Sequence, residues 1–260
     1  GSHEPFIYTL GLTATPERDY DDGNDFIENE IGPVIFKFKI EDAIREGILC
    51  EFNYFPLSFQ LTSEDKKKRN KVIRAYHAAA NAGNAWPKEQ FYIRLAAIQK
   101  NAQNKPMILD EFIKQNQEKL VSTIFFVDNK AQGKQIASVV KNYTYNFGTF
   151  YQEASNQVID YLSSNRLHSV IACTRLNEGI DIPSLKNIFL VSSSRAKLTT
   201  IQRIGRCLRI DKKNPHKVAN IVDLVLDEDL DEDGEIVNSD QERKEWITEL
   251  SKVKKEKNDG

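Results

Sequence analysis

Cysteine is scarce in this 260-residue chain: Cys50, Cys173 and Cys207 stand far apart, and no C-x-x-C pair occurs. That excludes a disulfide scaffold and a structural zinc framework, and it points to a reducing, cytoplasmic setting. Long apolar runs are also missing, because no stretch approaches the roughly 18 residues needed to span a bilayer. Nothing resembles a secretion signal, and Gly1-Ser2-His3 has the look of an expression remnant, outside any fold argument. The chain also lacks an overall basic excess, carrying a net charge of -2. The average hides a segregation, since seven acids crowd Asp227 to Glu235 and the remainder would carry +5. The local charge map, not the sum, bears on phosphate binding.

A phosphate loop is absent too. Gly133-Lys134 follows the apolar run Ile124 to Val127, but G-x-x-x-x-G-K-[ST] requires glycine where Asp128 stands and a hydroxyl where Gln135 stands. Met107-Ile108-Leu109-Asp110-Glu111 imitates a strand ending in magnesium-holding acids. It follows Pro106 and continues at helical spacing through Phe112 and Ile113, so a helix start with acids at its positive end is the expectation.

What is present is 40% hydrophobic and 28% charged, enough to bury a full core and carry a helical appendage. A short strand is expected over 6–10, a helix with a glycine stop over 41–47, and an extended strand near a sheet edge over 50–61, where Pro56 sits. Thr62 or Ser63 then caps a mostly helical region over 66–117, broken at Gly83, Pro87 and Pro106. Its first helix carries Lys66, Lys67, Lys68, Arg69, Lys71 and Arg74, either as a solvated face or as a contact to duplex phosphates. Helices are expected over 130–142 and 156–165, and a core strand over 217–226. The run Asp229-x-Asp231-x-Asp233-Gly234 matches half of a calcium loop but is approached by a strand, so an acidic surface turn is the expectation. A terminal helix over 239–257 would dock through Trp246, Ile247 and Leu250.

The chemistry concentrates between Val170 and Ile210. A branched apolar run over 170–173 meets Thr174 and a Gly-Ile-Asp-Ile-Pro turn at 179–183, which reads as a buried strand emptying into a site at its carboxyl end. A second run, 188–191, leads to a segment with Gln202, Arg203, Arg206 and Arg209, whose three-residue steps place the guanidiniums near one helix face. Such planar, permanently charged forks suit phosphate oxygens, and Gly205 leaves room for an approach to the backbone.

T-R-L-N-E-G-I-D-I-P (174–183) and Q-R-I-G-R-C-L-R (202–209) resemble motifs V and VI of superfamily two helicases. G-L-T-A-T-P (11–16) resembles motif III, and S-T-I-F-F-V-D-N (122–129) the strand of motif IV, all in the family's order. The resemblance leans to the XPB-like and restriction-type branch. It implies an α/β fold, a RecA-like parallel sheet flanked by helices with a preceding helical segment. The divisions would be a remnant of a first RecA-like domain over 4–30, connecting strands and helices over 31–119, a second RecA-like domain over 120–226, and the acidic turn with terminal helix over 227–260.

The implied function is the C-terminal half of an ATP-dependent helicase or translocase, a hydrolase acting on nucleic acid, with DNA preferred. ATP and magnesium would be bound mainly by the first RecA-like domain, so the chain by itself should be inactive. By resemblance, Arg206 and Arg209 are arginine fingers with Gln202 beside them, and Gly179 and Asp181 touch the nucleotide side. Thr174 and Asn129 hold the tracking strand, and Thr13 and Thr15 couple the two tasks. No metal ligand is assigned here. Arg203 fits a salt-bridge partner better, and Thr174 retains a helix-capping alternative. The arginine expected about six residues beyond Gly148 is replaced by the Ala154-Ser155 neighbourhood, which departs from the family. Partners would be nucleic acid, the first domain and subunits of a repair or restriction complex, with no membrane. The alternative is a non-catalytic nucleic-acid-binding or assembly module with the same fold.

Overall fold

A computed structural model describes residues 10–11, 32–151, 155, 157–173, 182, 184–192, 197–227 and 239–256. Helix α1 (Ile40–Arg45) leads into strand β1 (Phe52–Phe59), with Gly47 between them at a φ of +69°, where a side chain would be strained. Three helices follow: α2 (Ser63–Asn81), α3 (Lys88–Lys100) and α4 (Lys105–Gln115). Then come β2 (Thr123–Phe126), α5 (Lys130–Lys141), β3 (Phe147–Phe150), α6 (Gln157–Ser163) and β4 (Ser169–Ala172). The described chain closes with β5 (Asn187–Leu190), α7 (Lys197–Cys207), β6 (Ala219–Leu226) and α8 (Ser239–Ser251).

The strands form one six-stranded sheet in the order β1-β6-β5-β2-β4-β3, and each neighbouring pair is parallel. Parallel strands need crossovers, and these place helices on both faces. The strand residues divide accordingly. Ile124, Phe126, Val170, Ala172, Ile188 and Leu190 fill one core, while Phe125, Ile171, Phe189 and Val222 fill the other. Central strands apolar on both faces are why 170–173 and 188–191 read as continuous rather than alternating runs. On the second face Phe125 stacks on Phe189 with centroids 4.5 Å apart, and Phe112 of α4 meets Phe189 edge-on at 6.0 Å.

The edge placement expected around Pro56 holds: β1 is the outermost strand, paired with β6 from Phe52 opposite Ala219 to Phe59 opposite Leu226. The sheet thus takes a strand from upstream of residue 120. Thr62 is the α2 cap, its hydroxyl accepting from the Asp65 amide at 3.1 Å while Asp65 accepts from the Thr62 amide at 3.3 Å.

Three local readings need correction. The acids Asp110 and Glu111 lie in the middle of α4 rather than its first turn, because the helix already begins at Lys105 with Pro106 in its first turn. The helical break falls at 101–104, ahead of that proline. Strand β3, in the segment that departs from the family, carried no alternating signal: its Phe-Gly-Thr-Phe edge is only partly buried, and Gly148 sits close under Leu167 and Val158.

Candidate functional site

In open parallel sheets, ligands bind beyond the carboxyl ends of the strands, and here that edge is organised by one backbone carbonyl. The Lys100 carbonyl, at the end of α3, accepts from Gln132 Nε2 at 2.6 Å, Ser192 Oγ at 2.9 Å and Lys105 Nζ at 3.1 Å. Those donors come from α5, the end of β5 and α4, so three crossovers meet at one oxygen. Lys105 Nζ also donates to the Val191 carbonyl at 2.9 Å and lies 4.6 Å from the Phe59 ring centroid. Burial pushes this ammonium down to about 8.

At the end of β2, Asn129 caps α5, its side-chain oxygen accepting from the Gln132 amide at 3.0 Å. Its amide nitrogen donates to Asn101 Oδ1 at 2.9 Å and to Asp128 Oδ2 at 3.2 Å. Asp128 in turn faces Lys100 Nζ at 3.4 Å. The predicted strand contact is therefore a side chain already oriented by three neighbours, at the sheet edge where the resemblance places it. Gly133 in the next turn lies inside α5, where a Cβ would collide with the Tyr151 hydroxyl.

Helix α7 buries Ile204 and Cys207, and Leu208 directly after it is buried too. Gln202 and Arg206, four residues apart, are both half-buried on one helical stripe. Arg206 is thus less open to solvent than a bare surface arginine. Arg203 does not share its stripe. It is buried, donates from Nη1 to the Ser192 carbonyl at 3.0 Å, and lies 4.7 Å from the Phe126 ring centroid. Burial lowers its pKa to about 10. Among the described residues its contacts are a carbonyl and a ring rather than the expected carboxylate. Arg209 corrects the one-face reading as well, because α7 ends at Cys207 and Arg209 forms an isolated antiparallel bridge with Leu49. Lys217 Nζ holds its carbonyl at 2.6 Å. Thr13, Thr15, Thr174, Gly179 and Asp181 lie outside the described residues, as does the acidic turn over 228–238.

Sequence reasoning missed a second buried cluster on the α8 side. Arg243 grips Asp223 with two bonds, Nε to Oδ2 at 2.9 Å and Nη2 to Oδ1 at 3.0 Å, and reaches Asp240 Oδ1 from Nη1 at 2.6 Å. Tyr54 of β1 donates to Asp223 at 3.0 Å, and the Leu226 amide donates to Asp240 at 3.1 Å. Burial opposes the Arg243 charge, yet the two carboxylates outweigh it and hold the guanidinium above its ordinary pKa. The available signal was Asp223 itself, an acid inside Asn-Ile-Val-Asp-Leu-Val-Leu. No group of His, Cys, Asp and Glu among the described residues is placed to hold a metal ion, and no described helix is long and apolar enough to cross a membrane.

Residues 104–211 match the family model for the helicase conserved C-terminal domain. That stretch is similar to the C-terminal domain of helicases. The matched stretch holds β2 to β5, Asn129 and the Gln202–Arg206 stripe, whereas α2 and α3 precede the match. The chain is 23% identical to the DNA 3'-5' translocase XPB2 of Sulfurisphaera tokodaii over 84% of its own length and 52% of the relative's. It is 25% identical to the ATP-dependent helicase candidate IRC3 of Saccharomyces cerevisiae over 85% of its length and 30% of that protein's. It thus spans 52% of the length of the first of these relatives and 30% of the second. T4 UvsW superposes with a TM-score of 0.51 at 13% identity, covering 80% of this chain and 40% of UvsW, a likeness of fold.

Proposed function

We propose that this chain is the second motor half of an ATP-driven, DNA-directed helicase or translocase. The observation that carries the reading is the helicase C-terminal match over residues 104–211, with Gln202 and Arg206 on one half-buried stripe. In this reading the first RecA-like half holds most of the ATP and magnesium, and ATP supplies a transferable phosphoryl group. This chain supplies fixed positive charge. Arg206, shielded from bulk water, acts more strongly on a phosphate than an exposed arginine would. Arg209 joins it from beyond the helix end, with its backbone held by Leu49 and Lys217. Gln202 orients from the preceding turn. Gly179 and Asp181 line the nucleotide side, Asn129 and Thr174 contact the tracked strand, and Thr13 and Thr15 couple the two halves. The relative named a DNA translocase supports the choice of DNA.

The test is turnover in a protein carrying both halves. Arg206→Ala should lower DNA-stimulated kcat by about three to five orders of magnitude, with nucleotide affinity changed far less. Arg206→Lys should restore little, because an ammonium lacks the planar fork. This chain alone should release no phosphate above background. Undiminished turnover by Arg206→Ala would make Arg206 a structural residue and remove the finger assignment, whereas no DNA-stimulated turnover by the parent protein carrying both halves would leave the non-catalytic nucleic-acid-binding or assembly module as the better account.

A further inference from the structure

The α2–α3 hairpin lies outside the helicase match and is built unlike the rest of the molecule. In α2 only Asp65, in the first turn, is buried, and α3 buries no side chain fully. Residues 63–100 hold nine lysines and arginines against three acids, a net +6 in a chain of net -2, so all the other residues together carry -8. The charge is also arranged. Lys67, Lys71 and Arg74 are exposed at i, i+4 and i+7, on one stripe reaching about 10 Å along the helix. The opposite stripe, with Val72, Tyr76 and Ala79, is half-buried and turned toward α3. No carboxylate among the described residues pairs with any of the three cations, whereas Lys68, off the stripe, pairs with Glu64 at 3.3 Å.

The aromatic residues decide what kind of nucleic acid such a stripe suits. Binders of single strands stack bases on open rings. Here Tyr76 is stacked on Phe91 with centroids 4.2 Å apart, and the Trp86 ring is covered by Arg94 at 4.2 Å. These rings close the hairpin and leave cations, not ring faces, on the outer surface. A straight cationic helix without stacking platforms matches the regular phosphates of a duplex.

The base of the hairpin is fixed. Asp65 accepts from the Gln103 amide at 3.1 Å, and the Lys100 carbonyl is the hub of the sheet's carboxyl edge. Asn101, next after α3, accepts from Asn129 at 2.9 Å. Force on the arm would therefore reach the element that carries the proposed strand contact.

We propose that the Lys67–Lys71–Arg74 face of the α2–α3 hairpin docks the phosphate backbone of a nucleic-acid duplex, as an arm added to the motor half. The proposal rests on the nucleic-acid reading above, but its test uses this chain and no turnover. A fluorescein-labelled blunt DNA duplex of mixed sequence and a single strand of equal length are titrated at several salt concentrations, followed by anisotropy. Lys67→Ala/Lys71→Ala/Arg74→Ala is compared with a charge-matched control, Lys114→Ala/Lys141→Ala/Lys186→Ala, drawn from exposed lysines elsewhere.

The arm variant should lose affinity for the duplex on the order of a hundredfold near 0.1 M salt, and its log–log salt slope should fall by about 2 to 3. The control should lose much less. Both variants should melt like the parent chain. Equal losses in the two variants, an unchanged salt slope, tighter binding of the single strand, or no duplex binding by the parent chain would each overturn the proposal. The motor reading is judged separately by the Arg206 turnover experiment, so either reading can fail while the other stands.

Discussion

The carboxyl edge of the sheet and the α2–α3 hairpin are both rich in charge, but they hold it in opposite surroundings. At the edge, Lys105, Arg203, Asp223, Asp240 and Arg243 are almost entirely buried, and each is fixed by carbonyls, carboxylates or rings. On the hairpin, Lys67, Lys71 and Arg74 stand in water. A buried charge is tolerated only when its partners are placed to receive it, so the edge cluster dictates where α4, α7 and α8 must sit. An exposed charge dictates nothing about the fold and remains open to an outside partner. The comparison teaches that charge density alone does not mark a binding surface, because the denser cluster here is architecture.

The largest effect should follow from breaking that architecture. Arg243→Met strips Asp223 and Asp240 of the guanidinium that bonds both, and loss of one partner from a buried pair costs about 3–5 kcal/mol. Urea denaturation should show that loss. Adding Asp223→Asn and Asp240→Asn should recover a substantial part of it, because the residual charge is then gone. If the single variant is as stable as the parent chain, the cluster does not hold α8 against β6.

A smaller effect with a definite pH sign belongs to Lys105. Its folded pKa, about 8, lies below the ordinary lysine value, so between the two the unfolded chain binds more protons. Stability from this group must therefore rise with pH above about 8, by something on the order of 1–3 kcal/mol by pH 10.5. Lys105→Met removes the titration, so the difference between parent chain and variant should shift toward the parent as pH rises. Taking the difference is essential, because burial pushes the Cys50 thiol up and the Cys207 thiol to about 12, which acts in the opposite direction at alkaline pH. A difference that stays flat from pH 7.5 to 10 would mean that Lys105 is not held in a depressed state.

The hairpin should answer on a more local scale. Trp86→Ala removes the ring under Arg94 and beside Tyr76, whose centroid is 6.4 Å away. Aromatic contacts of this kind are worth about 0.5–1.5 kcal/mol beyond their buried area. The expected result is faster hydrogen exchange in α2 and α3 with β4 unaffected, since the arm meets the domain mainly at its base. Exchange accelerated equally in β4 would show that hairpin and sheet open as one unit.

How much of this was legible in the sequence follows the same division. The continuous apolar runs of β4 and β5, the cap at Thr62 and the edge strand around Pro56 could be read because each is decided locally, by burial period, capping chemistry or a missing amide. Arg203 was misread because its surroundings, Phe126 of β2 and the Ser192 carbonyl beyond the end of β5, come from outside its own helix. Even spacing of Arg203, Arg206 and Arg209 suggested one face, but the helix stops at Cys207 and the β-bridge to Leu49 takes Arg209 elsewhere. The convergence of three donors on the Lys100 carbonyl has no sequence signature, because a carbonyl is present at every residue. Strand β3 was invisible for a related reason: an edge strand of four residues with a central glycine has too little periodicity to register.

The smallest expected effect sharpens the comparison most. Replacing Lys67, Lys71 and Arg74 together with alanine removes three exposed cations that no described carboxylate pairs with, and exposed changes usually stay within about 0.5 kcal/mol each. Alanine is also the strongest helix former, so the intrinsic preference of α2 does not fall. Removing like charges from a segment of net +6 relieves repulsion, and that gain should be larger at low salt than at high salt. The variant should therefore match or slightly exceed the parent chain in melting temperature, with the excess fading as salt is added. A clear loss of stability would mean that the stripe is tied into the fold, as the edge cluster is. The contrast between charge that builds the domain and charge left for a partner would then fail at the hairpin.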